Sequence, residues 1–541
     1  MDDGTALVPV SPYGTFVGLA LAVHELGGGS GQFAEAMAAA DEYEAIARAF
    51  GDESTVDFLY QGRMFAYQYA RDFDGAMAVG LELLERHQAS GNVLEEAKTL
   101  ADVAVLGVLT GRMSQSILHL ARAGLLLETT TRRNDRYGSA LAAYGQAANT
   151  AGLFEVAGAA YEQVMAEHAA YGNSPGSYLE HRYLELLLTW GFRLAHVGHG
   201  LEARARLLRA VTVASDWLDS HPGTGAGPEF GECGADEIAA VLALALAKLG
   251  EAERAITIGE TIVLPLRAHG LHGGGWAAHL ALGIAYGDRG DPVAARRELL
   301  AARELCGLGG WADDELIVAY EIALLAARTA GDRTARDLLD ALDVQNRLLW
   351  KQRLQQLSAL QHARTREELE IERAQTQAAL LRDPLTGLGN RRHFDELMLA
   401  LDSGQITGPV SLLVLDVDKF KAINDTYSHA VGDAVLREVG AAVGGGCRAG
   451  HDLPIRYAGD EFTVFCQTDP GSALEVAERI RAAVADIDMD RIAPGAPVSI
   501  SIGVAGLTPG MTASDLFEAA DANLYRAKRA GRNRVNAGEP V

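Results

Sequence analysis

From about residue 31 to 340, apolar positions recur three and four apart, Ala and Leu dominate, and strand-like alternation is almost absent. Turn signals fall near Asp72, Gly111, Gly152, Gly250, Gly290 and Gly331, about 40 residues apart where they are consecutive, and the gap from Gly152 to Gly250 holds one more at Gly200. Between Gly152 and Gly250 an insertion, His221-Pro222-Gly223-Thr224-Gly225-Ala226-Gly227-Pro228, is a loop by composition. An all-helical stretch with such a period predicts stacked helix pairs, about seven hairpins in a right-handed solenoid. Ahead of it, residues 1–30 are punctuated by Pro and Gly and end on a flexible break, Gly27-Gly28-Gly29-Ser30.

The pattern changes at residue 341. Up to 382 the chain is rich in Gln, Arg and Glu, without Gly or Pro, which predicts one continuous helix. Apolar residues at Trp350, Leu354, Leu357 and Leu360, then at Ile371, Ala374, Ala378 and Leu381, suit a short coiled-coil seam with a polar middle. Such a seam fits a two-state signalling connection between subunits. The other reading is a solvated helix that packs back on the solenoid.

A third pattern starts at Asp383. A turn-rich opening and a helix to about Leu401 are followed by a strand (411–415), a helix (about 424–443), a strand–hairpin–strand (455–467), a helix (472–486), a strand (498–505) and a helix (514–530). This βαββαβ order predicts an α+β, ferredoxin-like fold. The strand Leu412-Leu413-Val414-Leu415 reads as fully buried and ends on Asp416-Val417-Asp418, while the hairpin carries Asp460-Glu461 at its tip. If the two strands are neighbours, three or four carboxylates share one sheet edge. Their repulsion is costly without a divalent cation, so the arrangement points to metal-dependent nucleotidyl transfer.

Composition narrows the picture. With 541 residues the chain needs more than one core, and its 48% hydrophobic and 22% charged residues are those of a soluble globular protein. A net charge of −25 argues against nucleic acid as a partner, because that binding neutralises phosphates with Lys and Arg. The four cysteines, Cys233, Cys306, Cys447 and Cys466, lack metal-ligand spacing and read as free thiols in a reducing cytoplasm. The apolar run Thr15 to Val23 falls well short of the ~20 residues of a membrane span, and Asp2 and Asp3 take the place of a basic signal-peptide start. The expected location is the cytoplasm.

Two family resemblances follow. The unit Leu282-Gly283, Tyr286, Gly290, Ala295, Leu299, Ala302 resembles the tetratricopeptide repeat (TPR), in which small residues let two antiparallel helices approach. Leu242, Gly250, Ala255 and Gly152, Ala157, Tyr161 match less fully. Such arrays offer a concave groove to a protein partner, peptide or small ligand, and alternatively act as dimerisation scaffolds. Trp276, Tyr286 and Trp311 either line that groove or belong to the core.

Residues 383–537 resemble the GGDEF diguanylate cyclase domain. The matching residues are the opening Asp383 to Arg392, Asp416-Val417-Asp418-Lys419-Phe420-Lys421, Asn424-Asp425, His429, Gly432-Asp433, the hairpin, Ser501-Ile502-Gly503-Val504, and Tyr525 to Arg534. The resemblance implies that two GTP-loaded domains of a homodimer condense their substrates into cyclic di-GMP. Asp416, the Val417 carbonyl, Asp460 and Glu461 would hold Mg²⁺ or Mn²⁺, two per site. Asp460 or Glu461 would take the hydroxyl proton, and Lys421 would stabilise the transition state. Asn424 and Asp433 would read guanine, while the main chain at Lys419, Phe420 and Lys421, with Lys528 and Arg532, would bind phosphates. His429 reads as a structural histidine.

Two positions depart from the family pattern. Ala458 stands where the first Gly of the motif is usual, with a cost of roughly 1–2 kcal/mol if that position needs a positive φ. Ala449 stands where product-inhibited members have Arg, although Asp452 is in place and Arg448 lies one residue early. The alternative function is a catalytically silent receptor for GTP or cyclic di-GMP; a pure scaffold would leave the nucleotide residues unexplained. The expected organisation is an N-terminal segment (1–30), a helical-repeat regulatory domain (31–340), a helical linker (341–382) and the cyclase domain (383–537).

Overall fold

The computed structural model describes Val23 and residues 33–538, except 132, 171–176, 222–233, 269–271, 310–311, 330–332 and 496. The chain divides into two compact units, Met1–Glu368 and Leu369–Val541. Gly27–Ser30, most of the insertion after His221, Cys233, Trp311 and Gly331 lie outside the described residues.

Among the described residues of the first unit, fourteen helices follow one another from Phe33–Ala49 to Ala312–Thr329, ahead of the longer helix Arg333–Leu380. The turns between successive helices have local causes. Asp72 accepts from the Gly75 N–H at 2.9 Å and so caps the helix Phe73–Ser90. Gly290 has φ 82°, a conformation that only glycine adopts cheaply. Gly200 instead opens the helix Gly200–Ser220, and the left-handed residue of that turn is Gly198 (φ 87°).

At one turn a missing side chain lets two successive helices approach. A Cβ on Gly283 would fall 2.6 Å from Leu299 Cδ2, so the helices His272–Asp288 and Pro292–Gly309 touch there only because position 283 has no side chain. One apolar core runs along the unit, and Trp276 and Tyr286 pack against it half-buried. The Tyr286 hydroxyl donates to Glu260 at 2.6 Å. Both rings are therefore packing residues.

The linker is one helix, Arg333–Leu380, which begins earlier than its polar composition suggested. Asn346, Arg353, Leu360 and Ala363 are buried on it, with Trp350 and Leu357 packed against the core of the first unit. Leu354 is 47% exposed. Arg353 faces in beside it, and this half of the helix packs back on the helical array.

The second unit carries a five-stranded sheet in the order β2-β3-β1-β4-β5. Numbered from the start of this unit, its elements are α1 (Arg391–Asp402), β1 (Ser411–Val417), α2 (Phe420–Thr426), α3 (His429–Gly446), β2 (Asp452–Ala458), β3 (Glu461–Cys466), α4 (Pro470–Ala485), β4 (Ile500–Gly506), α5 (Ala513–Arg529) and β5 (Val535–Ala537). β1 is central and antiparallel to β3 and β4, while β4 and β5 pair in parallel.

Alternation along β1 feeds two cores. Leu413, Leu415 and Val417 pack with Val435, Val439 and Ala477, and Leu412 and Val414 pack with Phe394, Leu516 and Leu524. The helix expected at 424–443 is two, because Ser428 is extended and accepts from the Val431 N–H at 3.3 Å, capping a new start. β5 and the one-turn helix Met489–Arg491 are too short to leave a pattern. Among the described residues no helix is long and apolar enough to cross a membrane, and Cys306, Cys447 and Cys466 are free.

Candidate active site

The buried β1 delivers its carboxylate to the rim of the sheet. Asp416 sits in register with Glu461 on β3 and with Ser501 on β4. The Val417 N–H donates to the Asp460 carbonyl at 3.2 Å, which ties the hairpin turn to the end of β1. Lys528, in the last turn of α5, places Nζ 2.7 Å from Asp416 Oδ2.

Charge is crowded here. Burial raises the Asp416 carboxyl above its ordinary range and Asp460 and Asp418 add to the rise, with Lys528 opposing it. Glu461 is raised by burial first, then by Asp416 and Asp460. Among the described residues no three His, Cys, Asp or Glu side chains form a ready-made metal group; Lys528 draws the Asp416 carboxylate to itself. The donors nonetheless fit a hard divalent cation. They are all oxygen, close in register, and short of positive charge.

The expected base-reading residues lie on successive helices, Asn424 on α2 and Asp433 on α3. Asn424 Oδ1 is buried without a hydrogen-bond partner. It lies against Gly432, where a Cβ would be 1.9 Å away, and Asp433 follows exposed on α3. An orphaned buried acceptor of this kind is a position for an incoming donor. Lys419 has φ 56° and caps α2, and Phe420 packs half-buried against the core. Lys421 is exposed and makes no ion pair with the carboxylates. His429 is exposed at the start of α3.

Asp418 is a residue whose part was not legible. It is buried and accepts from Ser499 Oγ and Ser501 Oγ, both at 2.7 Å, and from the Asn533 N–H at 3.0 Å. Asn533 follows Arg532, and both are left-handed (φ 46° and 64°), so Asp418 anchors the turn that presents Arg532. The signal available was the pair Ser499 and Ser501, two apart on one face of the β4 segment. Asp383 likewise reaches the site. It accepts from Arg456 Nη1 at 3.2 Å, and Arg456 Nε donates to the Gly459 carbonyl at 2.9 Å.

Ala458 is not strained. The positive φ of the hairpin belongs to Gly459 (48°), and Ala458 is absent from the left-handed region. The backbone cost considered for Ala458 therefore does not arise. Arg448 donates to both carboxylate oxygens of Asp452, at 3.0 and 2.8 Å, and so occupies the acid of the incomplete product-inhibition motif.

The family model described as the diguanylate cyclase GGDEF domain matches residues 380–534. The chain is 43% identical over 160 residues to the response regulator PleD of Caulobacter vibrioides, covering 28% of this chain and 35% of that protein. It is 40% identical over 153 residues to the diguanylate cyclase DgcS of Shewanella oneidensis, covering 28% and 50%. Among solved structures, the GGDEF domain of DgcB from Caulobacter crescentus, in complex with c-di-GMP, is 33% identical, with 30% of this chain and 96% of that one covered and a TM-score of 0.27. Residues 380–534 are thus similar to the GGDEF domain, and the similarity is confined to that part of the chain. The chain spans only 35% and 50% of the length of these two curated relatives.

Proposed function

We propose that the protein is a diguanylate cyclase that condenses two GTP into cyclic di-GMP and two pyrophosphates. The observation that carries this reading is the pairing of Asp416 with Glu461 at the sheet rim, beside Asp460 and under the Lys528 ammonium. It is supported by relatives bearing the same domain, one of them a named diguanylate cyclase.

In this reading Asp416, the Val417 carbonyl, Asp460 and Glu461 hold Mg²⁺ or Mn²⁺, two per site. Those cations supply charge for the polyphosphate and the developing alkoxide. Asn424 and Asp433 accept from guanine N–H groups. Lys528, Arg532 and the main chain at Lys419, Phe420 and Lys421 bind the phosphates, and Lys421 offsets charge in the transition state. Two domains of a homodimer face each other. The 3′-oxygen of one GTP forms a bond to the α-phosphorus of the other, the bond to pyrophosphate breaks, and the hydroxyl proton goes to Asp460 or Glu461.

The second unit is then a ferredoxin-like cyclase domain over 383–537. Residues 31–340 form a TPR-like solenoid that regulates it through the linker at 341–382, in answer to a protein or small ligand. With GTP as its substrate, this reading has the protein act in the cytoplasm.

Product analysis after incubation of the full chain with GTP and Mg²⁺ tests the reading. Cyclic di-GMP should form, and Asp460→Ala should reduce it by at least about a thousandfold. Tight GTP binding without turnover in the wild type would sink the cyclase reading in favour of a silent receptor.

A further inference from the structure

The linker helix is sorted into faces by its neighbours. Its covered positions include Asn346, Trp350, Arg353, Leu357, Leu360 and Arg364, spaced alternately by four and three residues. That is the spacing of a coiled-coil seam, yet within the first unit the stripe is already occupied. Leu360 and Ala363 join the core of the helical array, with Trp350 and Leu357 packed against it.

The polar members of the stripe find partners on the array. Arg353, 5% exposed, pairs with Glu155, and its guanidinium lies 5.0 Å from the Phe154 ring centroid and 4.3 Å from that of Trp350. Arg364 pairs with Glu128. Nearer the start of the linker, Tyr320 donates to Asp343 at 2.9 Å and Arg193 to Asn346 at 3.4 Å. These partners come from the helices Met113–Thr129, Phe154–Ala170, Ser177–His196 and Ala312–Thr329, so the linker lies along much of the array.

In a parallel, in-register pair of linkers, Arg353 and Arg364 would instead meet their own copies, like charge against like. The stripe is therefore matched to the acidic array better than to a second linker. Docking is also imperfect. Arg353 Nε and Nη1 and Asn346 Nδ2 are buried without partners, and each lowers the cost of release.

We propose that residues 342–367 are the array's built-in ligand, and that docking them keeps this stretch from pairing with a second copy of the chain. A regulator of the array would act by displacing this helix, so the surface fits an amphipathic helix with Arg and Trp at that spacing. The link to turnover rests on the cyclase reading above; the docking does not.

The test uses the full chain and two readouts independent of GTP: the dimer dissociation constant by sedimentation velocity, and amide hydrogen exchange of residues 342–367. Glu155→Arg leaves the linker sequence untouched and Arg353→Glu reverses the other partner. Each is expected to tighten the dimer about tenfold and to speed exchange, and the double reversal to restore both. Glu128→Arg with Arg364→Glu repeats the cycle at a more exposed pair, with a smaller effect. Unchanged dimerisation and exchange in the single variants, or no restoration in the doubles, would overturn the proposal. A wild type that makes no cyclic di-GMP would sink the cyclase reading and leave this test intact.

Discussion

Asp418 is the residue on which most of the site's rigidity converges. It closes three hydrogen bonds from inside the domain, to Ser499, Ser501 and Asn533. Asp418→Ala would leave those donors without an acceptor, two of them hydroxyls in or beside β4. The expected loss is about 2–3 kcal/mol of domain stability, read by thermal or urea unfolding. Because the Asn533 bond anchors the turn presenting Arg532, KM for GTP should rise by roughly tenfold more than kcat falls. An equal fall in both parameters would contradict the positioning role. Asp416, Asp460 and Glu461 were legible because a buried strand and a hairpin each end on acids. Asp418 was ambiguous for the same reason: next to Asp416 in sequence, it turns inward, and only the register with β4 reveals it.

At the scale of elements, long periodic segments were readable and interactions between distant helices were not. The strands at 411–415 and 498–505 fall within two residues of β1 and β4, since buried alternation leaves a strong pattern. Glu321 shows what stayed hidden. Though buried at 5% exposure, it pairs with Lys248 and lies 3.6 Å from His196 Nε2, joining helices far apart in sequence. Burial pulls its carboxyl upward, but Lys248 and His196 together hold it down at about 2, against an ordinary 4.5. A depressed acid contributes stability that is complete above the unfolded value and lost as pH falls through the folded one. Glu321→Gln should therefore cost about 3 kcal/mol at neutral pH, because Lys248 is left without its buried partner. Measured by urea unfolding, the gap to wild type should hold above about pH 5 and shrink toward about pH 2. A gap independent of pH would show that the charge of Glu321 is not what matters.

For the whole molecule, the net charge of −25 enters every encounter between two copies. Two such chains repel at low salt, and repulsion beyond a Debye length of ~10 Å at 0.1 M is screened as salt rises. The ion pairs that hold the linker on its array weaken in the same direction, above all the more exposed Arg364–Glu128 pair. Both effects favour pairing of copies, and in the proposed cyclase reaction turnover follows pairing. In dilute protein, turnover of the wild type should therefore rise as NaCl goes from about 50 to about 300 mM, at saturating GTP and Mg²⁺. Arg353→Glu separates the two contributions. With the linker already released, only the general repulsion remains to be screened, so its turnover should start higher and rise less steeply. Parallel salt dependences in the two proteins would mean that the docked helix does not restrain pairing, and that net charge alone governs it.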